Sequence, residues 1–201
     1  MVMKISFGKG VWAVEREETD LDRFVKEFVS VLESCNVKYV LVSGYVAILF
    51  GRSRDSEDVD ILMEKVDFNR FERFWKKACG SMECINAENP ERGFEDYISD
   101  GLALRFSRKG KPIPNMEVKF PKTELDEWTV ANVANASLNG FPLRVSPLEL
   151  QIPYKLYLGS FKDVEDARHM WLLTKNHLDQ ALLKSFIQQL KVEKEASKWL
   201  S

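Results

Sequence analysis

The stretch Val-Ser-Gly-Tyr-Val-Ala-Ile-Leu-Phe-Gly-Arg-Ser-Arg-Asp-Ser-Glu-Asp-Val-Asp-Ile-Leu, residues 42–62, decides the fold. Its first residue closes Tyr39-Val40-Leu41-Val42, a short β-branched run that suits a buried strand. Ser43-Gly44 breaks that strand. The apolar segment from Tyr45 to Phe50 ends at Gly51, the form of a short helix with a glycine stop. Residues 57–64 then read as a second strand. Alternate residues of a strand share a face, so Asp58 and Asp60 project together while Val59 points into the core. Two carboxylates on one face repel each other unless a cation lies between them. Mg²⁺ suits such a pair, because it takes a few carboxylates plus phosphate oxygens.

The Asp-x-Asp pair is not distinctive alone, since Asp20-Leu21-Asp22 and Glu124-Leu125-Asp126 repeat the pattern without a strand and glycine turn before them. The lead-in separates the cases. A glycine between strand and helix lets backbone N–H groups approach a phosphate, and the helix dipole favours the anion. Equally, Gly44 can serve only to make a tight turn.

N-terminal to this run, Asp20 is the expected N-cap of a helix carrying Leu21, Phe24, Val25, Phe28, Val29, Leu32 and Cys35 on one stripe. Residues 3–14 form a short strand or an irregular arm. Asp67 caps a second helix that turns Phe68, Phe71, Phe74, Trp75 and Ala78 inward. Strands are expected over 81–86, 95–98, 102–107 and 115–120, the last two joined as a hairpin by Arg108-Lys109-Gly110-Lys111-Pro112. Residues 123–138 read as a polar helix or loop, and Phe141 to Val145 as a strand. Ser146-Pro147-Leu148-Glu149 has the form of a capped helix start, with Ser146 as cap and Glu149 reaching back. That helix runs to Leu158, is stopped by Gly159, and should kink at Pro153. Two more helices follow over 162–175 and 178–199. The order gives an α+β fold, with a core domain over 1–145 and a C-terminal helical extension over 146–201.

The run from Val42 to Leu62 resembles the signature of the DNA polymerase β-like nucleotidyltransferase superfamily. That signature is a hydrophobic strand, Gly-Gly or Gly-Ser, a short helix, then Arg-x-Ser/Thr-x-Asp-hydrophobic-Asp, matched here by Arg54, Ser56, Asp58 and Asp60. Ser43 stands where many relatives have the first glycine; its hydroxyl can also donate to phosphate. The resemblance implies a nucleotidyltransferase fold, a mixed central β-sheet flanked by helices. It also implies a third carboxylate on a later strand. Glu117, in Asn115-Met116-Glu117-Val118-Lys119-Phe120, is the candidate; its structural alternative is a solvent-facing hairpin residue. Asp58, Asp60 and Glu117 would then be the catalytic and metal-binding residues, holding two Mg²⁺ ions against an NTP substrate. Ser43, Gly44, Arg54 and Ser56 would bind the nucleotide.

Downstream, Ser146-Pro147-Leu148-Glu149-Leu150, Lys155 and Lys162-Asp163-Val164-Glu165-Asp166 resemble the C-terminal motif of the abortive-infection-type, toxin–antitoxin-associated nucleotidyltransferases. By that resemblance Lys155 contacts phosphate and Asp163 positions it or the acceptor. Otherwise Asp163 is a helix cap, and Asp166 with Arg168 is ordinary surface charge. The implied reaction moves an NMP from an NTP to an acceptor hydroxyl of RNA (such as tRNA), protein or a small molecule, with a cognate antitoxin or other partner protein. The alternative is a non-catalytic nucleotide-binding or partner-binding protein with the same fold.

A net charge of -2 means that any nucleic-acid contact must come from a local patch. Arg105, Arg108, Lys109, Lys111, Lys119 and Lys122 supply one around Glu117, or form a solvated hairpin. Cys35, Cys79 and Cys84, an odd count without a CxxC pair, argue against a disulfide framework or structural zinc and read as reduced thiols of a cytoplasmic protein. His169 and His177 lack ligand spacing and suit cap or surface roles. No signal peptide and no membrane span are expected.

Overall fold

The computed structural model describes residues 3–200. The chain opens as a hairpin of β1 (Lys4–Gly8) and β2 (Val11–Glu15), antiparallel throughout. The single strand or arm expected there is two strands because Lys9 and Gly10 both take positive φ, the turn whose twist suits paired strands. Helix α1 (Asp20–Ser34) buries Phe24, Val25, Phe28, Val29 and Leu32. Its cap is Thr19 rather than Asp20. Thr19 Oγ1 accepts from the Asp22 N–H at 3.2 Å, and the Asp22 carboxylate accepts from the Thr19 N–H at 2.8 Å. This reciprocal box satisfies two donors, more than Asp20 could alone.

β3 (Tyr39–Leu41), α2 (Ser43–Leu49), β4 (Asp58–Met63) and α3 (Phe68–Ser81) follow in the expected order, with α2 starting at Ser43 and α3 capped by Asp67. β5 (Met82–Cys84) comes next. The strand expected over 95–98 is helical instead: α4 (Pro90–Arg92), a π turn over Gly93–Tyr97 and a 3-10 turn over Ile98–Asp100. Asn89 caps α4 and Pro90 begins it, a strong helix start. A Cβ on Gly93 would lie 2.6 Å from the Trp75 ring, and Phe94 packs against Phe68 and Phe71.

β6 (Leu104–Arg108) and β7 (Lys111–Lys119) form the expected hairpin, turned by Lys109-Gly110 with Gly110 at φ +71°. Residues 123–138 divide into α5 (Glu124–Ala131), capped by a Thr123–Asp126 box, and β8 (Ala134–Leu138). β8 turns through Asn139-Gly140, both at positive φ, into β9 (Phe141–Val145). α6 (Leu148–Leu158), α7 (Phe161–Thr174), α8 (Gln180–Gln189) and α9 (Glu193–Trp199) complete the chain. Pro153 lies buried inside α6, and Gly159 at φ +70° ends it. The Ser146 cap does not form, because Glu149 accepts from the Asp179 N–H at 3.0 Å instead of reaching back. The single helix expected over 178–199 breaks at Lys191, whose φ is +57°.

The chain divides into two compact units. Unit 2 holds Glu17–Val42 and Asp55–Val133. Its strands run in the order β3-β4-β7-β6-β5, with β4 and β7 parallel and the other neighbours antiparallel. Its core is aromatic: Phe28, Phe71, Phe74, Trp75 and Phe106 meet with ring centroids 5.3–6.2 Å apart. Each such ring pair adds roughly 0.5–1.5 kcal/mol beyond its area burial.

Unit 1 holds Met1–Arg16, Ser43–Arg54 and Ala134–Ser201. Its strands run β1-β2-β8-β9, with β2 and β8 parallel. Helices α6–α9 thus group with α2, β1, β2, β8 and β9, and the division does not follow the 145/146 boundary. The reason is visible around α2. The Arg16 side chain donates to the carbonyls of Ile48 and Leu49, both at 3.4 Å, and His169 Nε2 donates to the Phe50 carbonyl at 3.0 Å. The bonds to Leu49 and Phe50 satisfy carbonyls that a helix end leaves open, while the Ile48 carbonyl also accepts from the Gly51 N–H at 2.9 Å. His169 therefore has the cap role that its sequence suggested.

Candidate functional site

In unit 2, the register places Asp60 opposite Glu117 and Asp58 opposite Asn115 across the parallel pair β4 and β7. Opposed residues of neighbouring strands share a face. Asp58, Asp60, Asn115 and Glu117 therefore form a two-by-two patch of oxygen-bearing side chains, with Val59 and Met116 buried beneath. Val42 N–H donates to the Asp60 carbonyl at 3.0 Å, which fixes β4 beside β3. Ser56 Oγ lies 3.5 Å from Asp58 Oδ1.

The donors are hard oxygens, the chemistry a Mg²⁺ ion requires. Their rotamers do not converge: among the described residues, no group of three or more His, Cys, Asp or Glu side chains could hold a metal ion as placed. Glu117 is committed elsewhere, with Oε1 2.7 Å from Arg105 Nη2 on the neighbouring strand β6. Asn115, which sequence reasoning passed over, is buried and donates through Nδ2 to the Glu57 carbonyl at 3.2 Å, while its Oδ1 has no hydrogen-bond partner. Its place two residues before Glu117 on the same strand was the available signal.

In unit 1, Ser43 sits at φ +57°, the left-handed region where glycine is at ease. Gln151, buried on α6, clamps its backbone: the Ser43 N–H donates to Gln151 Oε1 at 3.3 Å, and Gln151 Nε2 donates to the Ser43 carbonyl at 3.2 Å. Gly44 is buried, and a Cβ there would overlap Arg54 Nη2 and lie 3.3 Å from Arg54 Cζ. The missing side chain makes room for a guanidinium of the same chain.

Behind Arg54 lies Asp166, fully buried. Its carboxylate is 3.2 Å from Arg54 Nη2, 3.2 Å from Lys155 Nζ and 3.5 Å from Arg52 Nε. Asp166 is thus the centre of a charge cluster and not the surface residue expected from sequence. Burial was hidden because α7 has a weakly patterned sequence, in which Asp166 lies beside Ala167. Lys155, 2% exposed, also donates to Asp163 Oδ1 at 2.6 Å. Asp163 is not the cap of α7. Ser160 is, accepting from the Asp163 N–H at 3.2 Å while its hydroxyl donates to Asp163 Oδ2 at 2.5 Å. Burial pushes the Asp163 carboxyl up, but hydrogen bonds from Lys155 and Ser160 outweigh it and hold its pKa below the ordinary value.

The basic run of the β6–β7 hairpin is partly spent within unit 2. Arg108 forms a forked bond to Glu27 at 2.9–3.1 Å, Arg105 pairs with Glu117, and Lys109 donates to the Gly80 carbonyl at 3.1 Å. The three cysteines are free thiols, and burial raises the pKa of Cys79 and Cys84. No described helix is long and apolar enough to cross a membrane.

No family model matches the chain, and no curated protein matches it. Among solved structures it is similar to an antigenic nucleotidyltransferase-like protein from Paracoccidioides brasiliensis, with a TM-score of 0.55 at 17% identity, covering 90% of this chain and 92% of that one. The likeness shows a nucleotidyltransferase-like α+β fold.

Proposed function

We propose that the protein is a Mg²⁺-dependent nucleotidyltransferase that moves an NMP from an NTP to an acceptor hydroxyl. The observation that carries this is the pairing of Asp60 with Glu117, with Asp58 two residues along the same strand face. The acceptor oxygen attacks the α-phosphorus, the bond from that phosphorus to the β-bridging oxygen breaks, and pyrophosphate leaves with the electron pair. Asp58 and Asp60 would hold the metal, and Glu117 would join them on turning from Arg105. Glu117 also takes the acceptor proton. Two Mg²⁺ ions would neutralise the leaving group and activate the acceptor. Ser43, Gly44, Arg54 and Ser56 orient the phosphates, and the rate gain comes from positioning and charge neutralisation. Lys155 and Asp163 act as a bonded pair in the same role. The acceptor is an RNA such as tRNA, a protein or a small molecule, and a toxin–antitoxin-like setting would add a cognate partner protein. A cytoplasmic location follows the same proposal.

Incubating the purified protein with each labelled NTP and Mg²⁺, with and without total tRNA, tests this. Label should transfer with wild-type protein and be abolished by Asp60→Asn at unchanged fold. Equal labelling by both proteins would remove the metal assignment.

One set of observations favours a second reading, a nucleotide-binding or partner-binding protein without turnover. The Ser43 N–H bonds Gln151, Glu117 pairs with Arg105, and Lys155 pairs with Asp163 and Asp166. Nucleotide binding without transfer would select it.

A further inference from the structure

We propose that Asp166 is a positioning residue, which pins the Arg54 guanidinium against the first turn of α2 to meet the phosphates of a nucleoside triphosphate. The phosphate role of Arg54 rests on the function proposed above; the pinning itself does not.

Asp166 is fully buried, and a carboxylate there must be compensated by nearby cations. Three provide this. Arg52 and Lys155 are each shared with a second carboxylate, Glu165 at 3.7 Å and Asp163 at 2.6 Å. Arg52, Arg54 and Lys155 thus meet Asp163, Glu165 and Asp166 in one cluster. Asp163 and Asp166 stand three residues apart on α7, the spacing that puts both on one helix face.

Arg54 is confined from two sides. Asp166 Oδ2 lies 3.2 Å from its Nη2, and the backbone of Gly44 lies so close that a Cβ would overlap the same nitrogen. Its side chain is 10% exposed. A side chain ordered during folding need not be ordered again when a ligand arrives, so the ordering cost does not fall on binding. Arginine carries enough rotamer freedom for this to be worth roughly tenfold in affinity. Asp166 itself does not touch the ligand; it acts through Arg54.

The test combines two readouts. Arginine-selective NMR follows rotation about the Nε–Cζ bond of Arg54, assigned by its loss in Arg54→Lys. Calorimetry follows binding of ATP, GTP, CTP and UTP with Mg²⁺. In wild-type protein the Arg54 rotation should be slow. In Asp166→Asn it should become fast, and affinity for the preferred NTP should fall about tenfold. Arg52→Gln, which removes a different ion pair from the same carboxylate, should leave the Arg54 rotation slow and lower NTP affinity by less than Asp166→Asn does. Asp166→Glu gives the same comparison should the asparagine variant fail to fold, because the longer side chain displaces the guanidinium. Fast rotation of Arg54 in wild-type protein would overturn the pinning. Unchanged NTP affinity in a folded Asp166→Asn variant would overturn the positioning role, as would affinity losses in Arg52→Gln equal to those in Asp166→Asn. Slow rotation with no NTP bound by wild-type protein would overturn the proposed function and leave the pin established.

Discussion

The guanidinium of Arg54 fills the space that a Cβ on residue 44 would need. Gly44→Ala should therefore destabilise the protein by about 2–3 kcal/mol, since the methyl group overpacks a buried contact and pushes Arg54 off Asp166. The same change in an Arg54→Ala background should cost less than about 1 kcal/mol, because the clash is gone. Denaturant unfolding of the four proteins gives the coupling. Equal costs in both backgrounds would mean that Arg54 does not pack on Gly44.

Ser43 holds a left-handed backbone conformation, φ +57°, stabilised by the two-point clamp from Gln151. That conformation strains an L-residue by roughly 1 kcal/mol. Ser43→Gly should raise stability by up to about 1 kcal/mol, less the extra freedom glycine gains when unfolded. A rise in the urea midpoint at constant slope would bear this out, and a fall would show that the serine hydroxyl contributes more than the strain.

Arg105 competes with any cation for Glu117, at 2.7 Å. Arg105→Gln removes that competitor and a positive charge from the carboxylate face. Divalent-cation affinity should rise by about threefold to tenfold at low salt, and the gain should shrink as salt screens the site. Calorimetric titration with Mg²⁺ or Mn²⁺ reads this directly; unchanged or weaker binding would place the metal away from Glu117.

The carboxyl of Asp163 has its pKa held below the ordinary value, with burial opposing and the Lys155 and Ser160 hydrogen bonds prevailing. A depressed carboxylate contributes stability above its unfolded pKa, about 3.9, which is lost as pH falls through the folded value. Asp163→Asn should therefore lower stability at neutral pH and fall less steeply below about pH 4. Melting curves across that range that run parallel for the two proteins would contradict the assignment.

Much of the fold was legible because it rests on local patterns. The strand Tyr39–Leu41, one residue shorter than expected, the Asp67 cap and the aromatic stripe of α3 follow from period and capping chemistry alone. The failures come from competition that a single sequence does not display. Glu149 matches a capping box, yet the Asp179 N–H takes its carboxylate. Residues 95–98 read as a strand, but Asn89-Pro90 starts a helix that runs into them. The Asn139-Gly140 turn was readable as a hairpin signal, and β8 ahead of it was obscured by the weakly apolar Ala134-Asn135-Ala136-Ser137. At the candidate site, the strand phase of Asp58, Asp60 and Glu117 was readable, because a two-residue period fixes which side chains share a face. The burial of Asp166 and the clamp by Gln151 were not, since both depend on contacts more than a hundred residues apart in sequence.

On the proposed function, Asp58, Asp60 and Glu117 together take a divalent metal. Crystals grown with Mg²⁺ and a non-hydrolysable NTP test it most directly. Metal density is expected about 2.1 Å from carboxylate oxygens of Asp58 and Asp60, with the Glu117 side chain turned from Arg105 toward it. Bound nucleotide with no metal at these carboxylates, and Glu117 still paired with Arg105, would contradict it.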